Sequence, residues 1–323
     1  MKEEVDIVTG GAGFIGGHLV RGLLERGRSV RVIDDLSTGR RENLEGLDRM
    51  YHGRFDFVEG DIRDRSVLDR HFQGCGRVFH QAAMVSVQKS VEDPGLCHEI
   101  NVTGTLKVLE AARRAGAERV VLASTCAIYG DDPVLPKRES MAPAPESPYA
   151  ASKYMGEIYA KLFGSLYEFP VVALRYFNVF GPRQDPSSDY AAVIPKFIER
   201  MRSGRQPIIF GDGEQTRDFV YVGNVVEANL EAAEQAVPGL VLNIGTGRSY
   251  SLNELVSILN NVLGTTWEPE YREGRQGDVR HSRADVGLAE REIGFVSRVH
   301  LAEGLKRTVD AFTAAVQTKE TAT

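Results

Sequence analysis

Cysteine is scarce: three residues in 323, Cys75, Cys97 and Cys126. An odd number so widely scattered speaks against a disulfide framework or a zinc knuckle, and it suits a reducing cytoplasm. Long apolar runs are missing as well, so no segment reads as a membrane span. Met1-Lys2-Glu3-Glu4 runs into a short apolar stretch that lacks the basic lead, length and cleavage site expected of a secretory leader. Basic residues are in deficit, 39 Lys and Arg against 45 Asp and Glu, for a net charge of -6. That balance argues against a general affinity for nucleic acid or anionic membrane, and any anionic ligand must be met by arginines placed locally. Internal repeats and low-complexity segments are lacking too. What remains is 42% hydrophobic and 26% charged residues, the usual balance of a soluble globular chain. Its length implies about two domains and a sizeable core.

The first half alternates short β-branched runs with helical patterns, the signature of a doubly wound α/β fold in which helices cover a parallel, Rossmann-type sheet. The spacing predicts strands at Val5 to Thr9, Val30 to Asp34, Phe55 to Glu59, Val78 to Gln81, Val120 to Ser124 and Val171 to Tyr176. Helices are predicted over Ile15 to Arg26 and Pro94 to Ala115, where apolar residues recur at i, i+3 and i+4. Ser147-Pro148 supplies an N-cap and an N1 proline for a helix running to about Leu166. After Arg175 the alternation loosens into a smaller, discontinuous lobe. Within it Val225 to Gln235 reads as a helix, and Val241 to Ile244 as a strand able to rejoin the sheet. The expected division assigns residues 1–177 and about 215–245 to the sheet domain and about 178–214 and 246–317 to the lobe. Residues 318–323 are expected to form a flexible tail.

T-G-G-A-G-F-I-G follows the first strand and leads into a helix. Side chains at Gly10, Gly13 and Gly16 would block the tight turn and the approach of a pyrophosphate to the helix start at Phe14 and Ile15. There free N–H groups and the helix dipole favour anions. A glycine triplet alone is weak evidence. Here the strand before, the helix after and Asp34 about 20 residues on make one set. The Asp34 carboxylate can accept from both ribose hydroxyls and repels a 2′-phosphate, which favours NAD over NADP. Asp61-Ile62, after the third strand, can meet the adenine edge, and an ordinary strand-end aspartate is an equal reading. Gln81, Ala82 and Ala83 would line the cofactor cleft, the alanines suiting close packing against a flat ligand. Whether His80 itself touches the cofactor stays open.

Tyr149 and Lys153 stand at i and i+4 at the start of a helix, so both project from one face. Y-x-x-x-K is common by chance. It gains weight because Ser124-Thr125 ends the fifth strand, at the sheet edge where doubly wound folds bind ligands. A free phenol titrates near 10, so acting as a base near neutral pH requires stabilising its ionised form by about 4 kcal/mol. Lys153 and a positive nicotinamide ring can supply that. Thr125 can hydrogen-bond the reacting oxygen, and Lys153 can also hold the nicotinamide ribose. The plain alternative, a helix-surface tyrosine beside a solvated lysine, accounts poorly for the whole set.

These pieces resemble the extended short-chain dehydrogenase/reductase family, and within it the UDP-hexose 4-epimerases. The likeness runs from Val5 to about Phe295. It rests on T-G-G-A-G-F-I-G, D-D-L-S-T-G at 34 to 39, H-Q-A-A at 80 to 83, Y-A-A-S-K at 149 to 153 and R-Y-F-N at 175 to 178. It implies NAD as cofactor, with Asp35, Ser37, Thr38, Gly39, Ser124 and Tyr176 among its contacts. It implies interconversion of UDP-glucose and UDP-galactose through a 4-keto sugar, Tyr149 serving as base, Lys153 as its helper and Thr125 as the hydroxyl partner. Many epimerases carry serine where Thr125 stands.

The same resemblance puts Arg217, in G-D-G-E-Q-T-R-D-F, and Arg275, in R-Q-G-D, on the diphosphate, a task that suits arginine's planar fork. It puts Asn178 on the diphosphate, Asp278 on the uridine ribose, and Val193, Lys196 and Phe197 around the uracil; Ser86 is an expected substrate contact as well. Ser282, four residues beyond Asp278, resembles a gate beside the sugar C2 substituent, where a small residue would admit UDP-N-acetylglucosamine and UDP-N-acetylgalactosamine. No metal is expected. Apolar stripes on the helices from Pro94 and Ser147 exceed what one sheet face needs, so they are expected to pair with their copies in a four-helix homodimer interface, as the family does.

Related 4,6-dehydratases and UDP-glucuronate decarboxylases carry an acid just after the threonine, where this chain has Cys126-Ala127. UDP-glucuronate epimerases usually show threonine where Asn178 stands. A non-catalytic NAD-binding protein is a further alternative, since a fold does not prove chemistry; intact Thr125, Tyr149 and Lys153 speak against it.

Overall fold

The structure, a computed structural model, describes residues 4–185, 192–235, 237–274 and 279–320. Arg275 and Asp278 therefore lie outside the described residues. Six strands open the chain: β1 (Val5–Thr9), β2 (Ser29–Asp34), β3 (Phe55–Glu59), β4 (Cys75–His80), β5 (Arg119–Thr125) and β6 (Val171–Tyr176). Short strands β7 (Asn178–Phe180), β8 (Ile208–Phe210), β9 (Thr216–Arg217) and β10 (Phe219–Tyr221) precede β11 (Val241–Ile244); β12 (Tyr250–Ser251) and β13 (Glu270–Arg272) follow it. β11 returns to pair with β6, as the sequence predicts. Among the described residues the main sheet thus holds seven parallel strands in the order β11-β6-β5-β4-β1-β2-β3. The order reverses between β1 and β4, the place where doubly wound sheets open a crevice at the carboxyl ends of their strands.

β4 and β6 are buried at every position, as strands covered on both faces must be. On one face Leu19 and Leu23 of helix Phe14–Glu25 pack with Val225 and Leu230 of helix Val222–Gln235. On the other, Leu68, Val108, Leu109, Ala160 and Phe163 close the layer. A third apolar cluster joins Phe197, Ile198, Met201, Leu255, Leu259 and Leu305, from three helices of the C-terminal lobe.

Helix Pro148–Tyr167 begins where its sequence says it should. Ser147 accepts the Ala150 N–H, and Pro148 fills N1, where a missing N–H costs nothing. The helix predicted from Pro94 to Ala115 is different. It runs as α-helix over Pro94–His98, π-helix over Glu99–Gly104 and α-helix again over Thr105–Arg114. The wider turn carries Asn101 inward, where Oδ1 accepts the Met84 N–H at 2.8 Å and Nδ2 donates to Met84 O at 3.0 Å. Apolar periodicity barely registers a phase shift of one residue, so the π segment escapes a sequence reading. The last helix, Leu301–Glu320, continues past Gln317, where fraying is predicted.

Candidate active site

A cleft of about 910 Å³ opens at the carboxyl ends of the central strands and runs on against the C-terminal lobe. Every expected dinucleotide contact from Gly10 to Tyr176 borders it. Gly10 has φ +69°, and a Cβ there would lie 2.6 Å from Ala82 N; one on Gly16 would lie 2.1 Å from Gly10 O. Helix Phe14–Glu25 starts at Gly13 with no side-chain cap, which leaves its first N–H groups free for an anion. Asp34 is buried at the end of β2. Its Oδ2 accepts the Ala12 N–H and its Oδ1 the Leu36 N–H, both at 2.9 Å. Burial raises its carboxyl, and the two N–H bonds oppose that. Each oxygen keeps a lone pair for a ribose hydroxyl. Gly39 leaves the room, since a Cβ there would meet Oδ1 at 2.7 Å. The backbone cradle and the paired acceptors fit a dinucleotide.

Asp61 borders the same end of the cleft, clamped by Arg63 at 2.6 Å, which holds its carboxyl below the usual range. His80 does not border it. Fully buried, it joins β4 to its neighbours through Thr9 Oγ1 at 2.7 Å and Thr105 Oγ1 at 3.0 Å.

Tyr149, Lys153 and Thr125 meet where β5 ends. The Tyr149 phenol lies beside the Thr125 hydroxyl, and Lys153 Nζ donates to Ala123 O at 3.0 Å. Burial pushes the phenol up to about 12, against the pull of the Thr125 hydroxyl, and pushes the Lys153 ammonium down to about 8. The protein alone therefore keeps Tyr149 protonated at neutral pH. A base at this position needs a further positive charge beside it, which an oxidised nicotinamide carries.

Asn178 at the start of β7, Val193 at the start of helix Val193–Arg202 and Arg217 at the end of β9 border the far half of the cleft. Ser86, Lys196, Phe197 and Ser282 do not. Ser86 caps helix Val87–Glu92 by accepting the Lys89 N–H. Lys196 is half-buried on its helix, while the Phe197 ring is 2% exposed in the lobe's core. Ser282 is buried, beside Cys126. Among the bordering residues missed by sequence reasoning, three have polar side chains: Lys89, Gln184 and Gln215. Gln215 Nε2 donates to Phe210 O at 2.7 Å; its buried Oε1 and that of Gln184 have no hydrogen-bond partner among the described residues. Gln215 sits two residues before Arg217, on the same side of an extended segment, and that period of two was the available signal.

Residues 7–245 match the NAD dependent epimerase/dehydratase family. The UDP-glucose 4-epimerase of Mycolicibacterium smegmatis is 42% identical over 308 residues, covering 95% of this chain and 97% of that protein. The structure of UDP-glucose 4-epimerase from Thermotoga maritima with UDP-glucose superposes with a TM-score of 0.91 at 42% identity, over 97% of this chain and 99% of that one. UDP-N-acetylglucosamine 4-epimerase from Methanobrevibacter ruminantium, in complex with UDP-N-acetylmuramic acid, gives 0.92 at 40% identity, over 98% and 100%. With a family match across well over half its length and relatives alike from end to end, the chain belongs to the NAD dependent epimerase/dehydratase family.

Proposed function

We propose that the protein is a 4-epimerase that interconverts UDP-glucose and UDP-galactose through a 4-keto sugar. One observation carries the reading. Thr125, Tyr149 and Lys153 stand together in the cleft, and the carboxylates among its described lining residues, Asp34, Asp35 and Asp61, all belong to the dinucleotide end. Tyr149 takes the proton from the sugar O4 and later returns it. Thr125 holds the reacting oxygen, and Lys153 holds the nicotinamide ribose while favouring the ionised phenol. NAD, held by the glycine turn and Asp34, would supply a reversible hydride acceptor for C4. Elimination of water needs a second acid–base group beside Thr125. Ala127 has none, and burial pushes the Cys126 thiol up to about 11. Return of the hydride to the opposite face of the ketosugar is then the remaining outcome, and it requires the sugar to turn. Binding strength therefore belongs on the nucleotide, with Arg217 and Arg275 on the diphosphate.

The likeness to a UDP-N-acetylglucosamine 4-epimerase extends the proposal to the N-acetylated pair of sugars. It extends further to a cytoplasmic homodimer. Three free thiols suit a reducing compartment, and an apolar stripe on helix Pro148–Tyr167 suits a second copy. Incubated with UDP-galactose and no added reductant, the protein should form UDP-glucose until the two equilibrate. A 4-keto-6-deoxy product, or no UDP-glucose from protein loaded with NAD, would overturn the reading.

A further inference from the structure

The last three residues of β5 each face a different residue of helix Pro148–Tyr167, two of them through hydrogen bonds. Ala123 O accepts from Lys153 Nζ at 3.0 Å, Ser124 Oγ donates to Glu157 Oε1 at 2.6 Å, and Thr125 stands beside Tyr149 at the cleft. Tyr149, Lys153 and Glu157 follow at i, i+4 and i+8, so they share one helix face. The proposed chemistry uses the first two and leaves Glu157 without a task. Glu157 is fully buried and does not border the cleft, so it cannot exchange a proton with a ligand there.

Its carboxylate is gripped from the sheet. Arg175 of β6 donates from Nε to Oε1 at 2.8 Å and from Nη2 to Oε2 at 2.7 Å, and it stands opposite Ser124 in the β5–β6 register. The guanidinium lies 4.8 Å over the Tyr129 ring, whose hydroxyl donates to Asn243 Oδ1 of β11 at 2.7 Å. Glu157 is thereby tied to three adjacent strands. A buried ion pair adds little stability over an apolar pair of the same shape. A bidentate one does fix direction as well as distance.

We propose that Glu157, held by Arg175, is a positioning residue that sets the roll of helix Pro148–Tyr167 about its axis. That roll brings the Tyr149 phenol to Thr125 and Lys153 to the cleft; the proposal rests on the reading of Tyr149 as the base. A roll of about 10° moves a side-chain tip about 6 Å from the axis by about 1 Å. Misplacement on that scale costs about a hundredfold in rate.

Glu157→Gln keeps the shape and removes the charge. In the NAD-loaded enzyme its kcat with UDP-galactose should fall about 30- to 100-fold, while KM and bound NAD stay within about twofold. Labelling tyrosines with 13C at Cζ reads the phenol without any substrate. The Tyr149 signal, identified by its loss in Tyr149→Phe, should shift in Glu157→Gln. This second arm separates two failures: if the wild type epimerises no UDP-sugar, the base reading falls, and the Tyr149 signal still decides the positioning. Folded Glu157→Gln with unchanged kcat and an unchanged Tyr149 signal overturns the proposal, as does a kcat loss matched by equal loss of bound NAD. If Glu157→Gln does not fold, Ser124→Ala decides, since it removes one rung and leaves the ion pair intact. A fall in kcat of about fivefold at constant KM and constant bound NAD then supports the proposal, and an unchanged kcat, or a loss matched by equal loss of bound NAD, overturns it.

Discussion

Tyr149 and His80 show how burial sets the behaviour of single residues in this protein. The Tyr149 phenol, raised to about 12 by burial, is the proposed base. Tyr149→Phe removes only that oxygen. Its kcat should fall about 1000-fold with NAD binding retained; near-normal turnover of UDP-galactose would remove Tyr149 from the chemistry. His80 is held neutral, its imidazole lowered to about 3 by burial, whereas in the unfolded chain it titrates near 6.5. A folded value below the unfolded one means that the contribution to stability is complete above pH 6.5 and is lost as the pH falls from there toward 3. The slope is up to about 1.4 kcal/mol per pH unit. His18, lowered by burial to about 4, adds in the same direction. Denaturant unfolding of His80→Gln should therefore vary less between pH 6.5 and 5 than that of the wild type, and equal slopes would show that His80 titrates alike in both states. The motif H-Q-A-A could not tell a cofactor contact from a structural histidine, because that depends on Thr9 and Thr105, which lie 71 and 25 residues away.

Among the elements, those governed by neighbouring residues were the most legible. β1, β6, β11 and the capped start of helix Pro148–Tyr167 lie where alternation and capping place them, because these signals act over a few residues. The π segment Glu99–Gly104 was not legible, since it is held open by Met84 from another part of the chain. Asn101→Leu would strand both polar groups of Met84 and should cost about 1 to 3 kcal/mol in urea unfolding. It should also weaken NAD, because Met84 borders the cleft beside Ala82 and Ala83. Unaltered NAD affinity in a folded variant would show that the π turn does not hold this loop.

At the scale of the whole molecule, helix Pro148–Tyr167 presents Met155, Ile158, Leu162 and Leu166, each at least 40% exposed, along one stripe. Val87 and Val91 are exposed apolar residues on the helix Val87–Glu92. Ile158→Glu combined with Leu162→Glu should convert a homodimer to a monomer in sedimentation velocity, and a wild type that sediments as a monomer would end the dimer proposal. Sequence alone determined the α/β class, the dinucleotide turn and the pairing of Tyr149 with Lys153 on one helix face. Each follows from backbone conformations and side-chain spacings settled within a few residues. Only the tertiary structure decided that Phe197 packs in an apolar core, that Gln215 borders the cleft, and that Ser124, Glu157 and Arg175 lock together. Those outcomes depend on which of several polar or apolar neighbours a side chain meets, and residues distant in sequence supply them.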